Sequence, residues 1–381
     1  MKHNGQVRYA IFAIIAIIAI IYFESHSCFY YNSQVLVMKE KILEKPFFSC
    51  WMIFAILILV HGLEAIVLRM DETVLGENFI NKLFGILVLF IVLRLISWKW
   101  SYIGFAGDGF LKSIFIGLGL ALVSFIVSYA VEILILRSQG HSISFGLFTT
   151  GFSLTGEAEV HTGTGFIMIC LLFNIVNVVM EEGTFRGLFF KLIRTDHSKK
   201  AALIFQATLF GIWHIVTPLH NLIDGDINIA SFAVLGLGYI VLAGLMGIKW
   251  GLLYQMSGSL YAGMADHFFN NCIATNLLHV VTETGVDEMM LIRVIIAQLL
   301  SFAVVMTLYL RTSLYCFCKQ IILQWGLPFE VKMPARKMLD ASLLSDAEMD
   351  AELEKGYADM KAGRTKPVKS TFADIRKDYG V

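Results

Sequence analysis

The sequence predicts an all-α protein, a polytopic bundle of transmembrane helices that ends in a short cytosolic helical tail. Hydrophobic residues make up 57% of the 381 residues and charged residues only 16%, and the mean hydropathy is +0.71. The apolar residues fall in long runs, and a helix needs roughly 20 of them to cross a bilayer. Unbroken runs favour helices over the alternating pattern of a membrane β-barrel, the other fold that satisfies its backbone in lipid.

Nine apolar blocks predict eight or nine spans, because the first and third blocks are the shortest. The blocks are residues 9–23, 47–68, 83–97, 113–136, 165–192, 201–216, 227–248, 251–273 and 291–310. Lys2 and Arg8 before the first block resemble the start of a signal peptide, but no small-residue cleavage pattern follows, which favours a retained helix. We therefore expect an integral, multi-pass protein of the cell membrane.

Composition divides the chain into three regions. Residues 1–164 contain the N-terminal transmembrane helices, and residues 165–312 form a second transmembrane bundle that carries the polar motifs described below. Residues 328–381 form a polar helical tail. In the tail, Ser345 and Glu348 form a capping box that opens a helix through Lys361. Gly363 follows as its stop.

The distribution of charge bears on orientation and on partners. Lys and Arg residues concentrate in the loop 193–200, and the positive-inside rule places this loop and the tail in the cytoplasm. The same reasoning puts the N-terminus outside, which Lys2 and Arg8 oppose, so its orientation stays open. The formal net charge is zero, and most charges lie in loops and the tail, so nothing indicates a nucleic-acid partner.

Three groups of polar residues lie inside the predicted spans. They are Glu181 and Glu182 with Arg186, Phe210 with His214, and His267 with Asn271. Ionisable residues within a span are costly and rare, so each is a candidate functional residue. Counting from turns predicted near 194–200 and 249–250, a rise of about 1.5 Å per residue puts Glu181, His214 and His267 roughly 20, 21 and 25 Å deep. The three therefore share one layer of the bundle.

The two acids are expected to have different roles. Glu181 and Glu182 are neighbours, so their side chains point about 100° apart on a helix. Glu182 and Arg186 are spaced i, i+4 with the acid first, which favours an ion pair that supports the site. Glu181 then faces a cavity, where it suits the role of general base and can share a water with His214.

The third group suggests charge stabilisation. His267 and Asn271 are spaced i, i+4 on one helix face, so both can donate hydrogen bonds to a single anionic oxygen. Asn270 is interpreted as a packing residue. A water-activating pair beside an oxyanion-binding pair has the parts needed to hydrolyse a peptide bond.

The three motifs resemble those of a known protease family. The runs EEGTFR at 181–186, FGIWH at 210–214 and HFFNN at 267–271 are similar to the EExxxR, FxxxH and HxxxN motifs of the CAAX-protease and bacteriocin-processing (CPBP, or Abi) intramembrane proteases. The resemblance covers residues 165–273. It implies an endopeptidase without a cofactor that cleaves a peptide or lipid-anchored protein near the membrane, in CAAX-type or bacteriocin-type processing.

The resemblance also implies a role for each matched residue. It assigns water activation to Glu181 and His214, oxyanion stabilisation to His267 and Asn271, and support of the site to Glu182 and Arg186. The membrane lipid and the peptide or lipid-anchored substrate are then the expected partners.

Two alternatives stay open. Buried charges can form a proton path in a non-catalytic transporter or membrane scaffold. Two histidines and a glutamate are also a ligand set of catalytic zinc, but the chain has no HExxH motif, so a zinc protease is the second choice.

The tail carries a separate resemblance. Residues 352–367 and 372–379 are similar to the toxin-binding end of RelB-type antitoxins, which implies a toxin-like partner that the segment wraps. A generic charged amphipathic helix explains the same pattern equally well.

Overall fold

The structure is a computed structural model that describes residues 37–70, 79–150, 160–324 and 345–363. The chain forms two compact units, Met1–Phe317 and Cys318–Val381. The first predicted span, at 9–23, lies outside the described residues.

Helices dominate the described chain, as predicted. They are α1 (Pro46–Gly62), α2 (Ile80–Ile96), α3 (Phe110–Ser138), α4 (Thr164–Glu181), α5 (Lys199–Trp213), α6 (Val216–Asp224), α7 (Ile229–Ser257), α8 (Tyr261–Phe268), α9 (Met290–Gln324) and α10 (Asp346–Lys361). Three of these helices continue as π-helices: α1 through Leu63–Leu68, α4 through Glu182–Phe189 and α8 through Phe269–Thr275. A last α-turn, Phe190–Ile193, follows the second of them.

Six helical segments of the described chain are long and apolar enough to cross a membrane. They are Pro46–Leu68, Phe110–Ser138, Thr164–Ile193, Lys199–Asp224, Ile229–Ser257 and Met290–Thr312. The protein is therefore a multi-pass membrane protein built as a helical bundle. The expected count of eight or nine spans is not confirmed, because α2 and α8 are shorter than these six segments.

One predicted boundary is wrong. The sequence placed a turn near Lys249 and Trp250, between spans 227–248 and 251–273, but α7 runs through both residues without a break. Both side chains are fully buried inside the protein, so this lysine belongs to the bundle and not to a loop. The helix ends at Gly258, whose φ of +70° suits a glycine C-cap. His267 is therefore only about 10 Å along its helix from the turn, not about 25 Å.

Short antiparallel strands lie between helices at one end of the bundle. Strand β1 (Ser144–Leu147) pairs with β4 (Leu278–Val281) with Ser144 opposite Val281, and β2 (Thr149–Thr150) pairs with β3 (Val160–His161). The all-α prediction did not anticipate them. The pair of β1 and β4 ties the loop after α3 to the loop that precedes α9.

A buried ion network fixes the loop that carries β4. The Arg293 guanidinium in α9 donates to the carboxylates of Glu132 (2.9 Å) and Asp287 (3.0 Å). His279 on β4 bonds the other oxygen of Asp287 at 2.7 Å. Burial raises the pKa of Asp287, but the hydrogen bond from His279 and the charge of Arg293 outweigh it and lower that pKa below its ordinary value. The loop is therefore anchored to two helices.

Helix α8, which carries His267, packs unusually closely against α3. A Cβ atom added at Gly117 of α3 would clash with the backbone carbonyl oxygen of Ala262 and lie 2.9 Å from the Ala265 side chain. Only glycine leaves room for this approach. A Cβ atom added at Gly119, two residues along the same helix, would have no neighbouring atom within 4 Å.

The second unit contains the predicted tail helix. Helix α10 begins directly after Ser345 and ends at Lys361, as the sequence predicted. Gly363 beyond it has a φ of +66°, which confirms its role as the stop.

The close contact of α3 with α8 predicts that Gly117→Ala destabilises the bundle. Forcing extra atoms into a packed interface costs about 1–3 kcal/mol, so we expect a lower unfolding midpoint in a denaturant titration in mixed micelles. Gly119→Ala is the matched control and should be neutral or slightly stabilising, because alanine is favoured over glycine in a helix by about 0.5–1 kcal/mol. Equal midpoints for the two variants would contradict this account of the packing.

Candidate active site

The polar motifs of the sequence converge in the interior of the bundle. Glu181 ends α4 and Glu182 begins its π-helix, while His267 lies near the end of α8 and Asn271 in the π-helix that follows. Glu181, Glu182 and His267 are at most 3% exposed, and Asn271 is partly buried. His214 caps the end of α5 beside them.

His267 bridges the two glutamates. Its Nδ1 atom lies 3.0 Å from Oε1 of Glu182, and its Nε2 atom lies 3.6 Å from Oε2 of Glu181. The expectation that only Glu181 faces the site is therefore wrong. The change from α-helix to π-helix falls between the two acids, and a π-turn holds more residues than an α-turn. Neighbouring side chains then diverge less than on an ideal α-helix, so both carboxylates reach one imidazole.

Glu181 has a cationic partner that the sequence did not reveal. Nζ of Lys82, in the first turn of α2, donates to Oε1 of Glu181 at 2.6 Å, and Nε1 of Trp213 donates to the same oxygen at 3.0 Å. This corrects the picture of Glu181 as an unpaired acid in a cavity. Lys82 borders an apolar block, where a lysine commonly extends its amine towards the interface. Its sequence position therefore gave no signal of this role.

The predicted pair of Glu182 and Arg186 is confirmed. Nε of Arg186 lies 3.3 Å from Oε2 of Glu182, and both residues are at most 1% exposed. The guanidinium carbon lies 3.8 Å from the ring centre of Phe210 and 5.0 Å from that of Trp250. The aromatic faces supply a cation–π attraction that favours the buried charge. Phe210 of the second motif thus serves as a platform for Arg186.

A backbone hydrogen bond sets the tautomer of His214. Its Nδ1 atom lies 2.8 Å from the backbone oxygen of Phe210. A carbonyl oxygen only accepts, so Nδ1 carries the proton and Nε2 of the neutral ring is left as an acceptor. Within the described part of the chain, no hydrogen bond joins this ring to Glu181.

The ring of His267 is held by stacking as well as by bonds. Trp250 stacks on it with ring centres 4.0 Å apart and an interplanar angle of 16°. Trp250 is in turn fixed by its Nε1 atom, which donates to Asp266 at 2.7 Å. Asp266 also forms an ion pair of 2.5 Å with Lys249. Neither Lys249 nor Trp250 belongs to a motif, so only the fold reveals their part in the site.

The arrangement of the His and Glu side chains is relevant to the zinc alternative. Among the described residues, no group of three or more His, Cys, Asp or Glu side chains is arranged to hold a metal ion. His267 has both nitrogens engaged within the protein, by Glu182 on one side and by Asn271 at 3.1 Å on the other.

Residues 163–273 match the protein-family model described as Type II CAAX prenyl endopeptidase Rce1-like. This match contains all three motifs and confirms the resemblance to the CPBP proteases. No curated protein and no solved structure matches the chain. The resemblance of the tail to RelB-type antitoxins receives no support from the family match, and its residues beyond 363 lie outside the described part of the chain.

The pair of Lys82 and Glu181 predicts strong energetic coupling in a double-mutant cycle. Lys82→Met leaves a buried carboxylate without its cation, and breaking a buried pair costs about 3–5 kcal/mol. Adding Glu181→Gln to Lys82→Met should recover most of the lost unfolding free energy. Lys112→Met, an exposed lysine of α3, is the control and should change little. Additive effects of the two site substitutions would show that the pair does not form.

Proposed function

We propose that this multi-pass membrane protein, which matches a CAAX-protease family, is an intramembrane endopeptidase that hydrolyses a peptide bond at the membrane. Glu181 and His214 activate the water, and His267 with Asn271 stabilises the oxyanion. The observation that carries the proposal is the meeting of His267 with both acids in the buried interior of the helical bundle. Glu182 and Arg186 support the site from one side.

The surroundings of Glu181 suit a general base. Lys82 and Trp213 both bind Oε1, which favours the ionised carboxylate and leaves Oε2 on the side of His267. A water placed between Oε2 and the acceptor nitrogen of His214 would lose its proton to this pair. General bases of this kind contribute about 10²–10⁴-fold to rate.

The surroundings of His267 suit an oxyanion-binding group. Its Nε2 atom and the Asn271 amide lie 3.1 Å apart, so one oxygen can reach both groups. Both glutamates face the ring, and their negative charge would stabilise it once Nε2 is protonated. The protein holds the His267 ring and the Asn271 amide in position before the reaction begins, so these groups need no repositioning in the transition state.

The family match and the position of the site support a proposal for the substrate class. We propose that the chain cleaves a peptide or the end of a lipid-anchored protein, either of the CAAX type or a peptide precursor. The site lies among helices that cross the membrane, so a substrate held by a lipid or an apolar segment is already concentrated at the correct depth.

Substitution of the proposed base should abolish cleavage without loss of the protein. Glu181→Gln is expected to lower the rate about 10²–10⁴-fold, and Asn271→Ala about 10²–10³-fold, as for loss of one oxyanion donor. The assay follows a farnesylated peptide ending in a Cys-aliphatic-aliphatic-X sequence, with the full-length protein in lipid vesicles. Comparison of membrane-fraction peptides between wild type and Glu181→Gln extends the test to other precursors.

The control is His220→Gln, because His220 pairs with Asp224 at 3.0 Å and takes no part in the proposed mechanism. Its cleavage rate should equal that of the wild type. Cleavage retained by Glu181→Gln would refute the mechanism. Proton flux through the vesicles with no cleavage of any precursor would instead select the transporter alternative.

Removal of metal separates the two catalytic classes. In the glutamate mechanism the water is activated by Glu181 and His214 alone, so exhaustive treatment with a chelator should leave the rate unchanged. Loss of activity on chelation, with recovery on addition of Zn²⁺, would favour the metalloprotease instead.

A further inference from the structure

A line of buried amide side chains leads from Lys249 to His267. Nζ of Lys249 donates to Oε1 of Gln298 at 2.6 Å, and Nε2 of Gln298 donates to Oδ1 of Asn270 at 2.9 Å. Nδ2 of Asn270 donates to Oδ1 of Asn271 at 2.7 Å, and Nδ2 of Asn271 reaches Nε2 of His267 at 3.1 Å. This amide relay joins α7, α9 and α8 with its π-helix.

The direction of every bond in the amide relay is set by its ends. An ammonium group only donates, so Gln298 must turn its oxygen to Lys249 and its NH₂ group to Asn270. The same order passes through both asparagines, so Nδ2 of Asn271 donates to Nε2 of His267 at 3.1 Å. Oε2 of Glu181 also faces Nε2, but at 3.6 Å it lies beyond hydrogen-bond distance, so the hydrogen bond at Nε2 is one that this nitrogen accepts. At the other side of the ring the Glu182 carboxylate only accepts, so Nδ1 must donate. Both ends therefore require the same tautomer.

We propose that Lys249, Gln298 and Asn270 are positioning residues that hold His267 as a neutral imidazole, protonated at Nδ1 and unprotonated at Nε2. The three residues are at most 5% exposed, so water cannot readily replace these bonds. The consequence for the reaction rests on the proposed function. In the resting site His267 is an acceptor, and it becomes a donor to the oxyanion only after Nε2 gains a proton.

The charge of the surrounding residues agrees with a neutral ring. Three acids and three bases are bound to one another around His267, namely Glu181 with Lys82, Glu182 with Arg186, and Asp266 with Lys249. Their formal charges cancel when His267 is neutral. An uncompensated additional charge is costly in a buried site, so these pairs and the amide relay favour the same state.

When no oxyanion is present to accept from both groups, protonation of Nε2 would set its N–H group against that of Asn271 unless the amide relay reverses. Asn271 would have to turn its oxygen to His267, and Asn270 and Gln298 would have to turn in the same way. Gln298 would then direct its NH₂ group at the ammonium of Lys249, and because both groups are donors no hydrogen bond could form between them. A buried donor without an acceptor costs about 1–3 kcal/mol, so Lys249 opposes protonation of His267 from four residues away along the relay.

The substitution Gln298→Glu tests this directly, because a carboxylate can only accept. The new carboxylate still accepts from Lys249, but it can no longer donate to Asn270, so the Asn270 amide must rotate and donate to residue 298. The Asn271 amide must then rotate as well, and its oxygen faces Nε2 of His267. The measurement is ¹⁵N NMR of the full-length, ¹⁵N-histidine-labelled protein in micelles at neutral pH, with the His267 signals assigned by their loss in His267→Gln. Protonated and unprotonated ring nitrogens give widely separated signals.

In the wild type we expect an unprotonated Nε2 and a protonated Nδ1, and in Gln298→Glu a protonated Nε2. Ser301→Asp is the charge-matched control, because Ser301 also bonds Lys249, at 3.0 Å, but lies outside the amide relay. It should leave the His267 signals unchanged. If Gln298→Glu does not fold, Asn270→Asp makes the same test, since its carboxylate also forces Asn271 to reverse.

Three results would overturn the proposal: a protonated Nε2 in the wild type, unchanged signals in a folded Gln298→Glu or Asn270→Asp protein, or an equal shift in Ser301→Asp. The last result would assign the effect to charge and not to the order of hydrogen bonds. None of these measurements involves cleavage, so they stand or fail independently of the proposed function.

Discussion

The contact of one imidazole with two carboxylates is the interaction on which the rest of this structure depends. His267 lies between Glu181 and Glu182 in the buried interior of the bundle, and each acid needs compensation there because an isolated buried charge is strongly unfavourable. Lys82 compensates one acid and Arg186 the other. Lys82 thereby binds α2 to α4, whereas Arg186 lies on the π-helical continuation of α4 itself. Compensation of Glu181 therefore depends on the packing of two helices.

The aromatic residues around the site both pack the interior and interact with its charged and polar groups. Arg186 lies over Phe210, Trp250 stacks on His267, and Trp213 donates to Glu181. Each ring fills volume and also meets a charge or a polar group, which an aliphatic side chain could not do. The motif phenylalanine is accordingly part of the electrostatic environment of the site, although it has no polar atom.

Backbone geometry places these side chains within reach of each other. The motif segments 182–189 and 269–275 are π-helices, which are rare and often mark functional sites. Gly117 lets α8 approach α3 so closely that no larger residue fits. Gly263 of α8 lies beside Trp250 and Glu182, where an added Cβ would lie 3.3 Å from the Trp250 side chain. Glycine therefore fixes the separation of α8 from α3.

The sequence by itself determined the features that depend on composition and short spacing. Apolar runs gave the membrane bundle, and i, i+4 relations gave the ion pair of Glu182 with Arg186. Only the tertiary structure decided that Lys82 is the partner of Glu181, because those residues are 99 positions apart and their contact exists only when α2 packs on α4. It also decided that Lys249 lies within α7: a lysine in an apolar run indicates a loop unless a distant acid, here Asp266, compensates it. Local spacing can be read directly from the sequence, whereas the compensation of a buried charge depends on which helices pack together in the folded protein.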